Sequence, residues 1–276
     1  MRIFVMTVLL CAYLTRMSAQ SGIAASPMQL TFDAAPGSSQ TQTVTLSNPG
    51  DVPITMIAGF SDWYRDSTGS ISYSTPSTLP SSCSGWLKIF PASQIILGPQ
   101  EKKEVTVMIN IPPGASALST NSMLLFTQLN KQEVTNKQGI VINLAVRIGI
   151  QIYNVPEGVH KKEIEIDQFT DSLFKQGDIV EKQLFLRLRN SGQVSAEGKA
   201  SIELTNMGTG SKTTLPLIMF YTLPGAVRQI KIPLSGTLPP GRYSAVALVD
   251  YGEDQELRIG QLEFTQTAGS SIKNAK

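Results

Sequence analysis

Few residues in this 276-residue chain could carry out chemistry on a substrate. There is one histidine, His160, beside Lys161 and Lys162, and there are two cysteines, Cys11 and Cys83. A serine or cysteine hydrolase needs a base held against its nucleophile, and a zinc site usually takes three or four His, Cys or carboxylate ligands. One histidine and a distant cysteine supply neither in the usual ways. No G-x-G-x-x-G, P-loop or G-x-S-x-G stretch occurs. Asp250 and Glu253 in DYGED could in principle serve as the carboxylate pair of a glycosidase, but they lie at a strand end, where acidic turn residues need no catalytic explanation. Asp62 with Asp66 in RDSTGS matches no calcium-loop spacing and reads as a hairpin tip. The expectation is therefore a protein without catalytic residues, metal or cofactor, which acts through surfaces and strand edges.

The element that would present such an edge is Ile140 to Tyr153, IVINLAVRIGIQIY. Ile140, Ile142, Leu144, Val146, Ile148, Ile150 and Ile152 occupy alternate positions, and a period of two places them on one face of a strand. Fourteen residues at about 3.3 Å each would reach roughly 45 Å, far beyond an ordinary strand of about five or six. Such a strand either spans a whole domain as core or runs past its edge, where part of its apolar row is free for another protein.

Export and solubility follow from the first residues. Arg2, the apolar run Ile3 to Leu14 and the small exit residues Ser18-Ala19 read as a secretory signal, residues 1–19, cleaved after Ala19. Cys11 lies inside the apolar run with no small residue before it, which argues against lipid attachment. No later stretch approaches the roughly 18 apolar residues of a spanning helix. Loss of Arg2 and Arg16 reduces 23 basic residues to 21, against 21 acidic ones. A neutral mature chain gives no electrostatic reason to bind nucleic acid or an anionic membrane. Cys83 then stands alone, so no internal disulfide forms and the fold rests on packed cores, with Cys83 a small buried hydrophobe.

From Ser21 onward short alternating stretches are broken by Gly, Pro, Asn and Ser, with no long helix. NVPEG, Asn154 to Gly158, makes a short hinge, after which about seven strands restart. The two halves echo each other. TLSNPGDVPI (Thr45 to Ile54) aligns with RLRNSGQVSA (Arg187 to Ala196), and LGPQEKKEVTVMINIPPG (Leu97 to Gly114) with LPGAVRQIKIPLSGTLPPG (Leu223 to Gly241). The expected fold is all-β, two tandem immunoglobulin-like β-sandwiches, over residues 20–156 and 157–267, with a frayed tail at 268–276.

Trp86-Leu87 with Pro91, Leu97-Gly98-Pro99 with Glu101, then Val105, Val107 and Pro112, together with Asn48-Pro49-Gly50 and Asp62-Trp63, resemble the first domain of the PapD-like periplasmic pilus chaperones. The long alternating strand leading through a proline into a second sandwich is similar to their donor strand. The resemblance covers Gly22 to Pro156 well and the second half loosely. It implies a periplasmic protein whose donor strand completes the incomplete fold of a secreted or pilus-type subunit. Ile140, Ile142, Leu144 and Val146 then become the partner-strand binding residues. It also implies basic residues that hold the client's terminal carboxylate. Here the sequence departs from the pattern: the first-strand arginine falls near Met28 or Gln29 and the donor-strand lysine near Gly149, leaving Gln29 and Arg147 as the anchor candidates.

The sequence thus points to a chaperone-like protein that binds an extended strand during assembly of a surface structure. The alternative is a structural or adhesive envelope module in which the long strand is simply core. Self-association through an uncovered strand edge is a further consequence of the same geometry.

Overall fold

The computed structural model describes residues 22–115, 118–130, 132–135, 141–176, 179–234 and 238–267. The expected export signal, the expected tail and Ile140 lie outside the described residues. Within them the chain is strands and turns, apart from a single 3-10 turn at Ser84–Trp86. It divides into two compact units, one of Met1–Asp62, Pro76–Ala115 and Asn121–Asn154, the other of Trp63–Thr75, Ser116–Thr120 and Val155–Lys276.

The first unit contains β1 (Ala24–Ser26), β2 (Gln29–Phe32), β3 (Ser39–Ser47), most of β4 (Ile54–Arg65), β6 (Leu87–Phe90), β7 (Gln94–Leu97), β8 (Lys102–Asn110), most of β9 (Thr120–Gln128), β10 (Gln132–Thr135), β11 (Val141–Leu144) and β12 (Arg147–Asn154). One sheet runs β1-β3-β8-β6; the other runs β2-β12-β9-β4, with β7 on the start of β4. β4 continues through a turn closed by Gly69 N–H to Asp66 O, 2.9 Å, into β5 (Ile71–Ser74). Alternation decides what lies between the sheets. Val44 and Leu46 of β3, Val105 and Val107 of β8, Phe126 of β9 and Ile152 of β12 are all 1% exposed or less, as a period of two requires of strands with one buried face.

The second unit pairs a sheet of β13 (Ile164–Gln176), β14 (Ile179–Asn190) and β18 (Val227–Pro233) with one of β16 (Lys212–Thr214), β15 (Ala196–Asn206), β19 (Gly241–Asp250) and β20 (Arg258–Gln266); β17 (Ile218–Thr222) also joins β15. Leu184, Leu186, Leu188, Ile202, Ala247 and Phe220 fill its core. The protein is all-β, two immunoglobulin-like sandwiches, each with its own apolar interior.

The internal echo has a hydrogen-bonded counterpart. Asn48 is buried between β3 and β4; its Oδ1 accepts from Gly50 N at 3.0 Å and its Nδ2 donates to Val52 O at 2.8 Å. Asn190, the last residue of β14, repeats this with Gly192 N at 2.9 Å and Val194 O at 2.9 Å. The backbone N–H of each Asn extends the ladder to the neighbouring strand by one residue, Asn48 to Glu101 O at 2.9 Å beside β8 and Asn190 to Ala226 O at 3.0 Å beside β18. An asparagine does this because one short side chain both accepts and donates, satisfying a buried turn from within.

Candidate functional site

The long alternating stretch is not one strand. It is broken at Ala145-Val146 into β11 and β12, opposite the end of the neighbouring strand β9. β9 keeps its antiparallel register on β4 past Gln128: Leu129 N–H donates to Thr55 O at 2.9 Å, and Asn130 Oδ1 accepts from Thr55 N at 2.8 Å. Gln128, only 4% exposed, then holds the break, since its N–H donates to Val146 O at 2.9 Å and its Oε1 accepts from Val146 N at 3.2 Å. Beyond this pivot, among the described residues, β10 and β11 pair only with each other, in the antiparallel register Gln132↔Leu144, Val134↔Ile142. The even row thus divides: Ile150 and Ile152 are fully buried and Ile148 packs against the same core, Val146 is half-buried at the pivot, and Ile142 and Leu144 stand in the hairpin.

On the other side of β12 lies β2, which runs parallel to it but pairs only over Gln151↔Gln29 to Asn154↔Phe32. The first bond of that ladder is Gln151 N–H to Met28 O, 3.1 Å. N–H groups alternate in direction along a strand. Those of Arg147 and Gly149 therefore point to the same edge as that of Gln151, where, among the described residues, no strand meets them. β11 likewise has a second edge that no described strand occupies. These two open edges follow one another along the chain on either side of the break.

The anchor candidates are placed along the edge of β12 but not together. Gln29 is exposed and its Nε2 donates to Thr31 Oγ1 at 3.2 Å. Arg147, also exposed, donates through Nε to Thr127 Oγ1 at 3.1 Å. Arg147 lies four residues up β12 from Gln151, the register partner of Gln29, a separation of about 13 Å. Between them a Cβ at Gly149 would fall 3.1 Å from Met123 Sδ, so a longer side chain there requires Met123 to move. The register partner of Gln29 is the neutral Gln151, whose Oε1 accepts from Tyr153 OH at 3.0 Å.

The other residues of the sequence reading have structural work. Asp250 accepts from Gly252 N–H at 3.2 Å and pairs with Lys199 at 3.1 Å, contacts that hold its carboxyl below the ordinary range. His160 is exposed and accepts from Gly158 N–H at 3.3 Å, and Cys83 is wholly buried in the first core. Among the described residues no three His, Cys, Asp or Glu side chains cluster as metal ligands. What the sequence did not disclose is the role of Asp62. Its carboxylate, 1% exposed, accepts from Ser77 N, Thr78 N, Leu79 N and the hydroxyls of Ser82 and Ser84 at 2.5–3.1 Å, drawing the Ser/Pro-rich loop against β4.

Comparison with protein families and with curated proteins finds no match. Among solved structures the chain is similar to a chain of the chaperone–tip adhesin complex of CFA/I fimbriae biogenesis, at TM-score 0.48 and 11% identity over 87% of this chain and 98% of that one. It is similar to a chain of the CsuC–CsuE chaperone–tip subunit pre-assembly complex from archaic Csu pili of Acinetobacter baumannii, at 0.48 and 15% over 86% and 97%. It is also similar to a chain of the Salmonella enterica SafA pilin–SafB chaperone complex, at 0.46 and 14% over 88% and 98%.

Proposed function

We propose that this protein binds an extended strand of a secreted or surface-assembled subunit by strand addition, as a chaperone-like protein of the periplasm. The observation that carries the reading is the open edge of β12 over Arg147 to Ile150, together with that of β11. A partner strand laid there gains a backbone ladder with the N–H and C=O groups of Arg147 and Gly149, while side chains at alternate positions select the partner. Ile142, Leu144 and Val146, and Ile140 before them, are the residues we assign to it. The resemblance of residues 22–156 to PapD-like chaperones supports the same assignment. Covering such an edge also protects both partners from edge-to-edge aggregation.

The second reading is an envelope module without chaperone activity, favoured by the burial of Ile150 and Ile152 in the protein's own core. Purification from the native periplasm, with identification of what co-purifies, separates the two when repeated with Ile142→Asp and Arg147→Ala. Strand addition predicts a defined partner that is lost with Ile142→Asp. Loss with Arg147→Ala as well assigns that side chain to the anchor. Retention of the partner by both variants, a second copy of this chain as the sole partner, or no partner at all supports the module reading.

A further inference from the structure

Two arginines of the second unit converge on one glycine. Arg65, at the end of β4, donates through Nη1 to Gly69 O at 2.9 Å. The guanidinium of Arg228, on β18, lies against the Cα of the same residue, so that a Cβ at Gly69 would fall 2.8 Å from Arg228 Cζ. Gly69 has φ +91°, a conformation that itself favours glycine. Arg228 Nη1 donates to Ser67 O at 3.0 Å and to Gln229 O at 2.9 Å, and Gln229 N–H donates to Ser67 O at 2.6 Å, which docks the 66–70 turn on β18. Arg65 is further held over the rings of Tyr221, 5.3 Å, and Trp63, 5.8 Å.

Each guanidinium spends one nitrogen on carbonyls. Nε and Nη2 of both have no protein acceptor among the described residues. The nearby carboxylates are turned elsewhere: Asp66 Oδ1 accepts from Thr68 N, Thr68 Oγ1 and Ser70 N at 2.7–3.0 Å, inside its own turn, and Glu197 is hydrogen-bonded to Tyr221. Two half-buried cations side by side are unfavourable unless an anion joins them. Burial pushes Arg228 below its ordinary pKa and the charge of Arg65 pushes the same way, against Asp66. Fixed, planar forks with spare N–H groups are the arrangement that binds a carboxylate or phosphate in two-point fashion.

We propose that Arg65 and Arg228 form a binding site for an oxyanion of carboxylate or phosphate type, held through their Nε–H and Nη2–H groups. The site is independent of strand addition at β12. The test follows the arginine Nε–H resonances of the full chain by NMR at constant ionic strength, set with chloride. The probes are inorganic phosphate, a capped pentaalanine with a free C-terminal carboxylate, and the same peptide as its amide. The expected result is a saturable shift of both resonances. Arg65→Gln and Arg228→Gln should each weaken binding about tenfold or more, the factor for one lost charge-assisted hydrogen bond, and the Lys variants should lie between. A response to the free-acid peptide but not the amide assigns a peptide carboxylate; a response to phosphate alone assigns a phosphate; either supports the site. The proposal is overturned if no probe shifts the wild-type resonances saturably, or if the amide binds as well as the acid while phosphate does not. Unchanged affinity in both Gln variants would overturn it too.

Discussion

Replacing Asp62 with alanine should be among the most damaging single changes in the first unit. The substitution strands three backbone N–H groups, of Ser77, Thr78 and Leu79, and two hydroxyls. Hydrogen bonds to a charged group contribute about 1.5–3 kcal/mol each, but the donors lie in a partly buried loop that water can reach, and Ser84 Oγ can turn to Ser122 Oγ at 2.8 Å. The net loss is therefore about 3–5 kcal/mol, the range for breaking a buried charged network. Burial pushes this carboxyl up, yet Ser82, Ser84 and the amides of Leu79 and Thr78 outweigh it and hold it below its ordinary value. A folded-state pKa below the unfolded one stabilises above the unfolded value of about 3.9 and loses that contribution as pH falls through the folded pKa. Urea denaturation followed by tryptophan fluorescence at neutral pH and near pH 3 reads both effects. The gap between wild type and Asp62→Asn should narrow at the acid pH. A loss under about 1 kcal/mol for Asp62→Ala, or a gap that does not change with pH, refutes the clamp.

Other outcomes are checked by the same denaturation assay. Ile150→Ala opens a cavity at a site of zero exposure and should cost about 2–5 kcal/mol. Ile142→Asp, on a hairpin that among the described residues pairs only with itself, should shift stability by no more than about 0.5 kcal/mol. Asn48→Ala and Asn190→Ala should each cost about 1–3 kcal/mol, since both leave a buried turn unsatisfied. At Gly198 a Cβ would collide with Asp250 O and come 2.6 Å from Phe220 Cζ, so Gly198→Ala should lose about 1–3 kcal/mol by overpacking.

Strands with one buried face were legible because their period of two survives in the sequence, as in Val44-Leu46 and Leu184-Leu186-Leu188. The Asn-x-Gly-x-Val echo was legible because one side chain closes the same turn twice. The break at Ala145-Val146 was not. It lies in an alternating row with neither Gly nor Pro at the break itself, and what marks it is a pair of hydrogen bonds between Val146 and Gln128, a residue of another strand. Asp62 escaped for a similar reason: its five donors sit 15 to 22 residues ahead, and local spacing carries no sign of them. The anchor candidates Gln29 and Arg147 could be aligned on a pattern, but their separation along β12 depends on the register with β2, which no single strand specifies.

Amide hydrogen exchange along β12, in the free protein and with its co-purifying subunit bound, tests strand addition most directly. The N–H groups of Arg147 and Gly149 face the open edge, whereas Ile148 and Ile150 face β9. The account predicts that Arg147 and Gly149 exchange freely alone and become protected in the complex, while Ile148 and Ile150 are protected in both. Unchanged exchange at Arg147 and Gly149 in a complex shown to be intact would contradict it and leave β12 a core strand.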